Sequence, residues 1–307
     1  MANIDNVDRM PTREAQSGPI THVDVLIVGA GISGICGAYY IRQNCPDQRF
    51  VILDSEETFG GTWWTHRFPG IRSDSDLHTF GYSFKPWVGP PIATAEEIRK
   101  YMGEVITEND LDQFIRYRHK IISANWSATD NLWTVDAVEV DSGTAVRFST
   151  NFLWMCQGYY RHNEGYTPSW PGMADFKGTI AHPENWPEDL NYAGKKVVVI
   201  GSGATAATVV PAMAETAGHV TMLQRSATFF RTGRNAVEIA DTLRELQIDE
   251  SWIHEITRRK ILFDQAAFTD KCFNEPEAAS EYLLGEVREW IGTAATEAHF
   301  TPNYRPW

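Results

Sequence analysis

The chain of 307 residues is long enough for two domains, and a hydrophobic share of 43% is enough for a sizeable core. Its net charge of -13 argues against a nucleic-acid-binding surface, which needs a basic face. The four cysteines form no CxxC pair and no metal-ligand spacing, so we expect reduced thiols, no metal site and a cytoplasmic location.

The N-terminal segment is polar and lacks the apolar core of a signal peptide, so we expect residues 1–21 to form a flexible arm. No apolar run approaches the ~20 residues that span a bilayer, so we expect no integral membrane segment. Regular structure is therefore expected to begin after residue 21.

The first strong pattern is a buried strand that leads into a glycine-rich loop and a helix. Residues 25–28 are apolar, Gly29-x-Gly31-x-x-Gly34 follows, and helix-forming residues come next. In a dinucleotide-binding unit the first glycine permits a tight turn, the second lets the backbone approach a pyrophosphate, and the third lets helix and strand pack closely. The next strand ends at Asp54, about 20 residues after Gly34, where an acidic residue binds a ribose hydroxyl. A glycine-rich turn in another kind of α/β protein is the alternative.

Alternating apolar and polar residues mark the region 131–156. The alternation runs on both sides of the turn at residues 141–143, which predicts a hairpin followed by a buried strand. We expect this antiparallel region, together with the strand at residues 49–54, to complete the first domain.

A second unit repeats the order of strand, glycine loop and helix. Apolar residues 197–200 lead into Gly201-x-Gly203-x-x-Ala206 and a helical sequence. The next strand ends in Arg225, whose guanidinium would pair with the 2′-phosphate of NADPH, whereas a carboxylate would repel it. The first unit therefore predicts FAD and the second NADPH; a solvated surface arginine is the alternative for Arg225. The residues expected to bind NADPH are Gly201, Ser202, Gly203, Thr205 and Arg225.

The chain after Arg225 shows no further strand pattern and predicts helices at about residues 235–246, 250–268 and 276–298. The second unit therefore does not complete its sheet. We predict an α/β fold with two Rossmann-like dinucleotide-binding domains. The expected limits are 22–160 for the FAD domain, 161–190 for a linker, and 191–307 for an NADP domain with helical additions, incomplete at its C-terminus.

Two dinucleotide sites in one chain indicate hydride transfer from NADPH to a flavin. A disulfide reductase would need a redox-active cysteine pair, and no such pair is evident among Cys36, Cys45, Cys156 and Cys272. Molecular oxygen is then the natural electron acceptor.

The most specific motif lies between the two units, in the stretch FKGTIAHPENWP. It resembles the fingerprint FxGxxxHxxxWP of Baeyer–Villiger monooxygenases, which are FAD- and NADPH-dependent class B flavin monooxygenases. The matching residues are Phe176, Gly178, His182, Trp186 and Pro187. Further segments similar to the family are GGTWW at 60–64, RFPGIRSDSD at 67–76 and CQGYY at 156–160. Over nearly everything after the arm, the chain resembles the branch that includes the ethionamide-activating monooxygenase.

The resemblance implies roles for individual residues. The fingerprint would connect the FAD domain to an NADP domain inserted into it, with His182 and Trp186 as conformational residues and not acid–base catalysts. The residues that would lie along the flavin are Gly60, Gly61, Thr62 and Trp63. Asp74 would be the catalytic residue, paired with an arginine near the reactive face of the flavin; an Asx turn is its alternative role. Whether Arg67 or Arg72 contacts phosphate stays open.

The resemblance also implies an activity. The enzyme would use O2, FAD and NADPH to insert one oxygen into a small ketone, or to oxidise the sulfur of a thioether or thioamide, through a C4a-peroxyflavin. Two alternatives are an N-hydroxylating class B monooxygenase, disfavoured by Trp186 and Pro187, and a catalytically dead flavin- and NADP-binding protein. The family continues past the point where this sequence stops, and its active-site arginine lies in that later part. We therefore expect a C-terminally truncated chain that a missing segment or a second chain completes.

Overall fold

A computed structural model describes residues 20–161 and 164–307 of the protein. Contacts within the chain divide the described residues into two compact units. Unit 1 comprises residues 20–64 and 102–159, and unit 2 comprises residues 65–101, 160–161 and 164–307. Residues 1–19 of the expected arm lie outside the described residues. The domain limits expected from cofactor binding stay a prediction.

A six-stranded mixed sheet forms the centre of unit 1. Its strands are β1 (Thr21–Val28), β2 (Phe50–Leu53), β3 (Ile115–Arg116), β4 (His119–Ser127), β5 (Leu132–Glu139) and β6 (Ala145–Met155). The order across the sheet is β3-β2-β1-β6-β5-β4. Strand β1 is parallel to both of its neighbours, whereas β4, β5 and β6 run antiparallel. A buried cluster that includes Leu26, Val51, Val135 and Phe148 packs on this sheet, and burying each such side chain stabilises the fold by about 1.5–3 kcal/mol.

The hairpin predicted for residues 131–156 is confirmed as β5 and β6. The expected separate strand after the hairpin is wrong, because β6 is one continuous strand of 11 residues that also pairs in parallel with β1. The strand at residues 49–54 does not belong to an antiparallel region either, since β2 is parallel to β1. Strand β4 escaped prediction because its register shifts between Ile121 and Ser123, which interrupts the alternation of apolar and polar residues.

The helices before residue 160 are α1 (Ile32–Asn44), α2 (Thr62–Thr65), α3 (Leu77–Phe80) and α4 (Ala95–Glu108). Helix α1 follows the first glycine loop and buries the small residues Gly34, Gly37 and Ala38. A Cβ atom on Gly37 would lie only 3.3 Å from the ring of Trp154. The small residues therefore let α1 lie close to β6, which fixes the position of the helix N-terminus at the end of β1.

Unit 2 contains the second strand–loop–helix arrangement. Its strands β7 (Lys196–Ile200) and β8 (His219–Leu223) are parallel and flank helix α5 (Ala204–Ala214) in sequence. Val209 and Met213 of α5 form a buried cluster with Phe68. As predicted, no strand occurs in residues 226–307, all of which the structure describes.

The remaining helices of unit 2 are α6 (Glu238–Glu245), α7 (Glu250–Asn274), α8 (Pro276–Ile291) and α9 (Thr293–His299). The prediction of helices in this region is confirmed, but the third predicted helix divides into α8 and α9 at Gly292. Its φ of +81° lies in the left-handed region that favours glycine. Helix α7 begins after Asp249, whose carboxylate accepts a hydrogen bond from the Ser251 amide. None of the helices in the described ranges combines the length and apolarity needed to cross a membrane.

Two histidines are buried where α7 packs against the region of α3. His78 is 2% exposed and His254 is 6% exposed. The guanidinium of Arg258 donates hydrogen bonds to the carbonyls of His78, Thr79 and Gly81, which ties α7 to the C-terminal end of α3. The contact between these helices therefore includes buried histidines and part-buried hydrogen bonds.

Burial lowers the pKa of both His78 and His254. The other groups that act on the His78 pKa are Asp76, which raises it, and Arg244, His254 and Arg258, which lower it. Those that act on the His254 pKa are Arg258, which lowers it, and Glu255 and the backbone of Ser83 and Tyr82, which raise it. Both imidazoles are therefore neutral in the folded protein at neutral pH.

We expect the free energy of unfolding of unit 2 to fall as the pH drops below about 6.5, the ordinary histidine pKa. In that range the unfolded chain binds protons that the folded chain does not, and each such proton destabilises by up to about 1.4 kcal/mol per pH unit. Urea denaturation between pH 5.5 and 8 measures this slope. His254→Gln should reduce the slope, whereas His219→Gln, at an exposed position on β8, should leave it unchanged. Equal slopes in all three proteins would contradict the assignment.

Candidate functional site: two glycine loops

The first glycine loop turns sharply at the end of β1. Gly29 has φ of +101°, and its amide donates a 2.8 Å hydrogen bond to the carbonyl of Leu53, the last residue of β2. A Cβ atom on Gly34 would lie 1.9 Å from the Gly29 carbonyl oxygen, so only glycine permits this approach of helix to strand. The structure thus gives Gly29 and Gly34 the geometry that the sequence pattern predicts.

Asp54 lies directly after β2 and is 8% exposed. One carboxylate oxygen accepts a 2.6 Å hydrogen bond from the Ala30 amide in the glycine loop, and the other accepts one of 2.8 Å from Glu56. A carboxylate has about four acceptor positions, so Asp54 keeps the capacity to bind a ribose hydroxyl. The bond to Ala30 was not predictable from sequence, because it joins the main chain of the glycine loop to a side chain that follows the next strand, β2.

The segment Gly60 to Trp63 lies beside the first glycine loop. The Gly60 amide donates a 3.1 Å hydrogen bond to the Ala30 carbonyl. A Cβ atom on Gly61 would lie 3.2 Å from the Gly31 Cα atom. Helix α2 begins at Thr62, and the Trp63 amide donates to the Gly60 carbonyl. Two sequence-predicted FAD motifs are thereby brought together at one end of the unit 1 sheet.

The second glycine loop reproduces the backbone of the first. Gly201 has φ of +128°, and its amide donates a 2.8 Å hydrogen bond to the carbonyl of Leu223, the last residue of β8. Gly203 precedes α5 with φ of -79° and ψ of -173°, as Gly31 precedes α1 with φ of -75° and ψ of -176°. The surroundings differ, because no described heavy atom lies within 4 Å of a Cβ atom built on Gly201 or Gly203.

The N-termini of α1 and α5 are both suited to anions. Neither helix has a side-chain cap, and neither has an acidic residue in its first turn. The first N–H groups of a helix have no partner within the helix and carry the positive end of its dipole. Each glycine loop therefore places donors where a dinucleotide phosphate would bind.

Arg225 lies two residues after β8, which ends at Leu223 and not at Arg225 as the sequence predicted. Its side chain is exposed, and within the described ranges it makes no hydrogen bond or ion pair. The Ser202 hydroxyl in the glycine loop donates a 3.3 Å hydrogen bond to the carbonyl of Ser226. This bond links the loop to the residue after Arg225, while the predicted Thr205 is exposed in the first turn of α5.

The fingerprint segment lies entirely in unit 2. Trp186 is partly buried against the cluster of Phe68, Val209 and Met213, which contains two side chains of α5. Pro187 follows it, and its carbonyl accepts a 3.2 Å hydrogen bond from the Leu190 amide. Trp186 therefore anchors the segment to the second glycine unit.

His182 and Phe176 make local contacts. The His182 imidazole packs so closely on Gly165 that a Cβ atom there would lie 2.2 Å from the ring. Its Nδ1 atom accepts a 3.2 Å hydrogen bond from the Glu184 amide, within its own turn. The Phe176 ring is 61% exposed and lies over Gly178, where a Cβ atom would be 2.6 Å away.

The Asp74 side chain is exposed and accepts a weak 3.4 Å hydrogen bond from the Ser75 hydroxyl. No arginine pairs with it among the residues that the structure describes. The turn-forming aspartate of this loop is Asp76, which caps α3 by accepting a 2.8 Å hydrogen bond from the Thr79 amide. The pairing with an arginine that the resemblance implies for Asp74 is therefore not seen among the described residues.

Two arginines that the sequence could not pair lie near each other in unit 2. Burial, and then the charge of Arg67, lower the pKa of Arg99 in α4. The Arg99 guanidinium still remains charged at neutral pH, because arginine titrates far above it. The spacing of 32 positions along the chain explains why no sequence pattern indicated this positive region.

The cysteines do not provide a reactive dithiol. All four are free of disulfides. Burial raises the pKa of Cys36 and of Cys156, and the charge of Cys36 raises the latter further. A disulfide reductase needs a lowered thiol pKa, whereas the pKa values of Cys36 and Cys156 are raised. Within the described residues, no cluster of three or more His, Cys, Asp or Glu side chains could hold a metal ion.

Comparison with known proteins supports this arrangement. Residues 27–88 match the family described as NAD(P)-binding Rossmann-like domain, and residues 86–236 match the family described as flavin-binding monooxygenase-like. A probable FAD-binding monooxygenase AlmA from an Acinetobacter species is 44% identical over 287 residues, which are 93% of this chain and 57% of that protein. The FAD-containing monooxygenase EthA of Mycobacterium tuberculosis is 42% identical over 289 residues, which are 93% of this chain and 58% of that protein. The chain thus spans less than two thirds of the length of these relatives.

Solved structures show the same fold. An oxidised steroid monooxygenase bound to NADP has a TM-score of 0.70 at 26% identity, covering 92% of this chain and 60% of that chain. A cyclohexanone monooxygenase from Rhodococcus sp. Phi1 bound to NADP+ has a TM-score of 0.69, covering 94% and 60%; at 24% identity it supports the fold alone. The resemblance drawn from the fingerprint is confirmed by these matches. With its two glycine loops, its match to the flavin-binding monooxygenase-like family over residues 86–236 and its FAD-containing monooxygenase relatives, the chain resembles flavin-binding monooxygenases.

Proposed function

We propose that the chain forms the FAD- and NADPH-binding part of a monooxygenase that transfers one oxygen atom from O2 to a small organic substrate. The substrate class is a ketone, oxidised in the Baeyer–Villiger manner, or a thioether or thioamide oxidised at sulfur. The relatives named FAD-containing monooxygenases and the neighbours solved with NADP support the cofactor pair. The cytoplasmic location expected from the cysteine content remains a prediction.

One observation carries the proposal: the same loop geometry occurs twice in one chain. In each copy the first glycine has positive φ, its amide bonds to the end of the next strand, and the following helix has no cap and no acid in its first turn. A single copy would fit many nucleotide-binding proteins. Two copies with different residues after the second strand, Asp54 and Arg225, fit a protein that binds two different dinucleotides.

The residues of the first loop fit FAD. Gly31 and the N-terminus of α1 would bind the pyrophosphate, and the remaining acceptor capacity of Asp54 would bind the ribose. The segment at residues 60–63 is held against this loop by the bond from Gly60 to Ala30. This contact supports its assignment beside the flavin, since both parts would contact one extended ligand.

The residues of the second loop fit NADPH. Gly203 and the N-terminus of α5 would bind its pyrophosphate, with Ser202 and Thr205 at the same end. Arg225 offers an exposed guanidinium that no described group neutralises. Such a group binds a 2′-phosphate through charge-assisted hydrogen bonds.

Bound FAD would supply the redox chemistry, accepting hydride from NADPH and activating O2 for transfer to the substrate. The protein residues would bind and orient the two cofactors. The Asp74 carboxylate would hold a cationic group near the flavin, where it stabilises developing negative charge. His182 and Trp186 would hold the fingerprint in one conformation against α5 while NADPH is bound.

A second candidate is a flavin- and NADP-binding protein without oxygenation activity. The observation that favours it is the lack of a described arginine beside Asp74. Without such a partner, one electrostatic component that the family resemblance implies is missing from the described site. The two candidates differ in the fate of the oxygen, which an assay can follow.

The direct test is to incubate the FAD-loaded monooxygenase, of which this chain would form the cofactor-binding part, with NADPH, O2 and either an aryl methyl sulfide or a cyclic ketone. We expect sulfoxide or lactone to form in proportion to the NADPH consumed. Product is measured by chromatography and hydrogen peroxide by a coupled peroxidase assay. NADPH consumption that yields hydrogen peroxide alone would support the binding protein and contradict oxygenation.

The roles of the two glycine loops can be distinguished by substituting one glycine in each loop and measuring the binding of both cofactors. A Cβ atom on Gly31 has its nearest neighbour at 3.8 Å, and one on Gly203 has none within 4 Å, so alanine fits at both positions. Gly31→Ala should weaken FAD binding by about tenfold or more, and Gly203→Ala should weaken NADP+ binding similarly, since a methyl group blocks the approach of a pyrophosphate. Flavin absorbance and calorimetry measure the two affinities.

The control for this experiment is Gly285→Ala in α8, where no atom lies within 4 Å of the added Cβ. It should leave both affinities unchanged and stabilise the helix by about 0.5–1 kcal/mol. A Gly31→Ala protein with full FAD occupancy would contradict the assignment of the first loop.

The fingerprint can be tested at His182. His182→Ala removes the imidazole that packs on Gly165 and accepts from Glu184, so the segment should lose its fixed conformation. We expect FAD to stay bound but flavin reduction by NADPH to slow by roughly 10- to 100-fold, as expected when reacting groups are misplaced. Stopped-flow absorbance measures this rate. His182→Asn retains a hydrogen-bond acceptor, so its rate of flavin reduction should lie between those of the wild type and the alanine variant. A normal rate in the alanine variant would contradict a role of the segment in reduction.

A further inference from the structure

The segment between β8 and α6, residues 224–237, is the basic loop of unit 2. It carries Arg225, Arg231 and Arg234 and no acidic residue, in a chain whose net charge is -13. It has no helix or strand of its own. A loop of this length needs contacts from other elements to adopt one conformation.

The end of this basic loop next to Arg225 is held by residues that follow α8. The Gln224 side chain donates a hydrogen bond to the carbonyl of His299, the last residue of α9. The Tyr304 hydroxyl donates a 3.1 Å hydrogen bond to the Thr228 hydroxyl. The Tyr304 ring also packs edge-on against Phe229, with 5.6 Å between ring centroids. These contacts lie one, three and four residues from Arg225.

Two further contacts hold the middle of the basic loop. The Phe230 ring packs edge-on against Phe300, with 5.8 Å between centroids. One carboxylate oxygen of Glu286 in α8 accepts hydrogen bonds from the Thr232 amide at 2.9 Å and the Thr232 hydroxyl at 3.3 Å. We call Glu286, His299, Phe300 and Tyr304 the C-terminal clamp.

Glu286 is ionised in this arrangement. Burial raises its pKa, but hydrogen bonds from Tyr282 and Thr232 and the charge of Arg231 outweigh burial, so the pKa lies below its ordinary value. Its bonds to Thr232 are therefore charge-assisted, which makes them about twice as strong as neutral ones.

The arginines of the basic loop differ in their contacts. Arg231 lies over the Phe268 ring at 5.2 Å and acts on Glu286. Arg225 is exposed and has no partner in the part of the chain that the structure describes. The clamp thus fixes the backbone on the C-terminal side of Arg225, and strand β8 fixes it on the other, while the guanidinium stays available for a ligand.

We propose that Gln224 and the C-terminal clamp are positioning groups that preorganise Arg225 for the 2′-phosphate of NADPH, so that α8, α9 and residues 300–304 determine the preference for NADPH over NADH. This inference rests on the proposed function. A cation on a fixed backbone loses less conformational freedom on binding than one on a mobile loop, so preorganisation increases affinity. The added affinity applies only to a ligand with a 2′-phosphate.

The test measures NADP+ and NAD+ binding to the 307-residue chain by calorimetry, without any turnover. Arg225→Ala should weaken NADP+ binding by roughly 10- to 150-fold, the loss expected for a charge-assisted contact. Gln224→Met and Tyr304→Ala remove clamp contacts without changing charge and should weaken NADP+ binding by roughly 3- to 10-fold. NAD+ affinity should not change in any of these variants.

Conservative and control variants sharpen the result. Tyr304→Phe keeps the packing on Phe229 and should lose less affinity than Tyr304→Ala. Glu286→Gln keeps an acceptor for Thr232 and should lose less than Glu286→Ala. Tyr166→Ala, at a tyrosine that is 86% exposed and outside the loop, should have no effect on either ligand.

Double variants decide between positioning and general structure. In the Arg225→Ala background, Gln224→Met and Tyr304→Ala should cause no further loss, because the group that they position is gone. A loss that persists in that background, or an equal loss of NAD+ binding, would overturn the positioning role alone. A wild-type chain that binds NADP+ no better than NAD+, or an Arg225→Ala variant with unchanged selectivity, would instead overturn the NADPH assignment on which the inference rests.

Discussion

The hydrogen bond from the first glycine of each loop to the last residue of the neighbouring strand controls the geometry of both sites. Gly29 bonds to Leu53 and Gly201 to Leu223, each at 2.8 Å. The bond forces the chain to turn at once after the strand, so the next helix starts at the carboxyl ends of two parallel strands. Glycine is required because the turn needs positive φ. Everything proposed for the two cofactors follows from where these turns place the helix N-termini.

The two units differ in the elements that pack around this shared turn. In unit 1, β6 pairs with β1 and leads into Cys156, whose carbonyl would lie 2.7 Å from a Cβ atom on Gly29. In unit 2, side chains from two distant segments of the sequence pack on α5 instead. Phe68 is part of the buried cluster with Val209 and Met213, and Trp186 packs against that cluster. The segment that carries Asp74 and the fingerprint thus share a packing partner, although about 100 residues separate them in sequence.

Sequence reasoning succeeded where a short pattern determines the local backbone. The glycine spacing predicted both turns, and apolar periodicity predicted the helices after Arg225 as well as the hairpin of β5 and β6. It failed where a partner lies far away along the chain. The parallel pairing of β6 with β1, the bond from Ala30 to Asp54, the proximity of Arg67 to Arg99 and the contacts that Tyr304 makes with the basic loop are all long-range. Asp74 combines both situations. A local motif identified the residue, but its role depends on an arginine partner that no local pattern identifies.

The difference in enclosure between the two loops bears on how long each ligand stays. Around the first loop, Cys156 and Gly61 crowd the glycines, so a ligand there would be surrounded by backbone on several sides. Around the second loop, no described atom approaches Gly201 or Gly203 within 4 Å of an added Cβ. Under the proposed function, the enclosed loop would suit a prosthetic group that stays bound, and the open loop would suit a co-substrate that enters and leaves with each catalytic cycle.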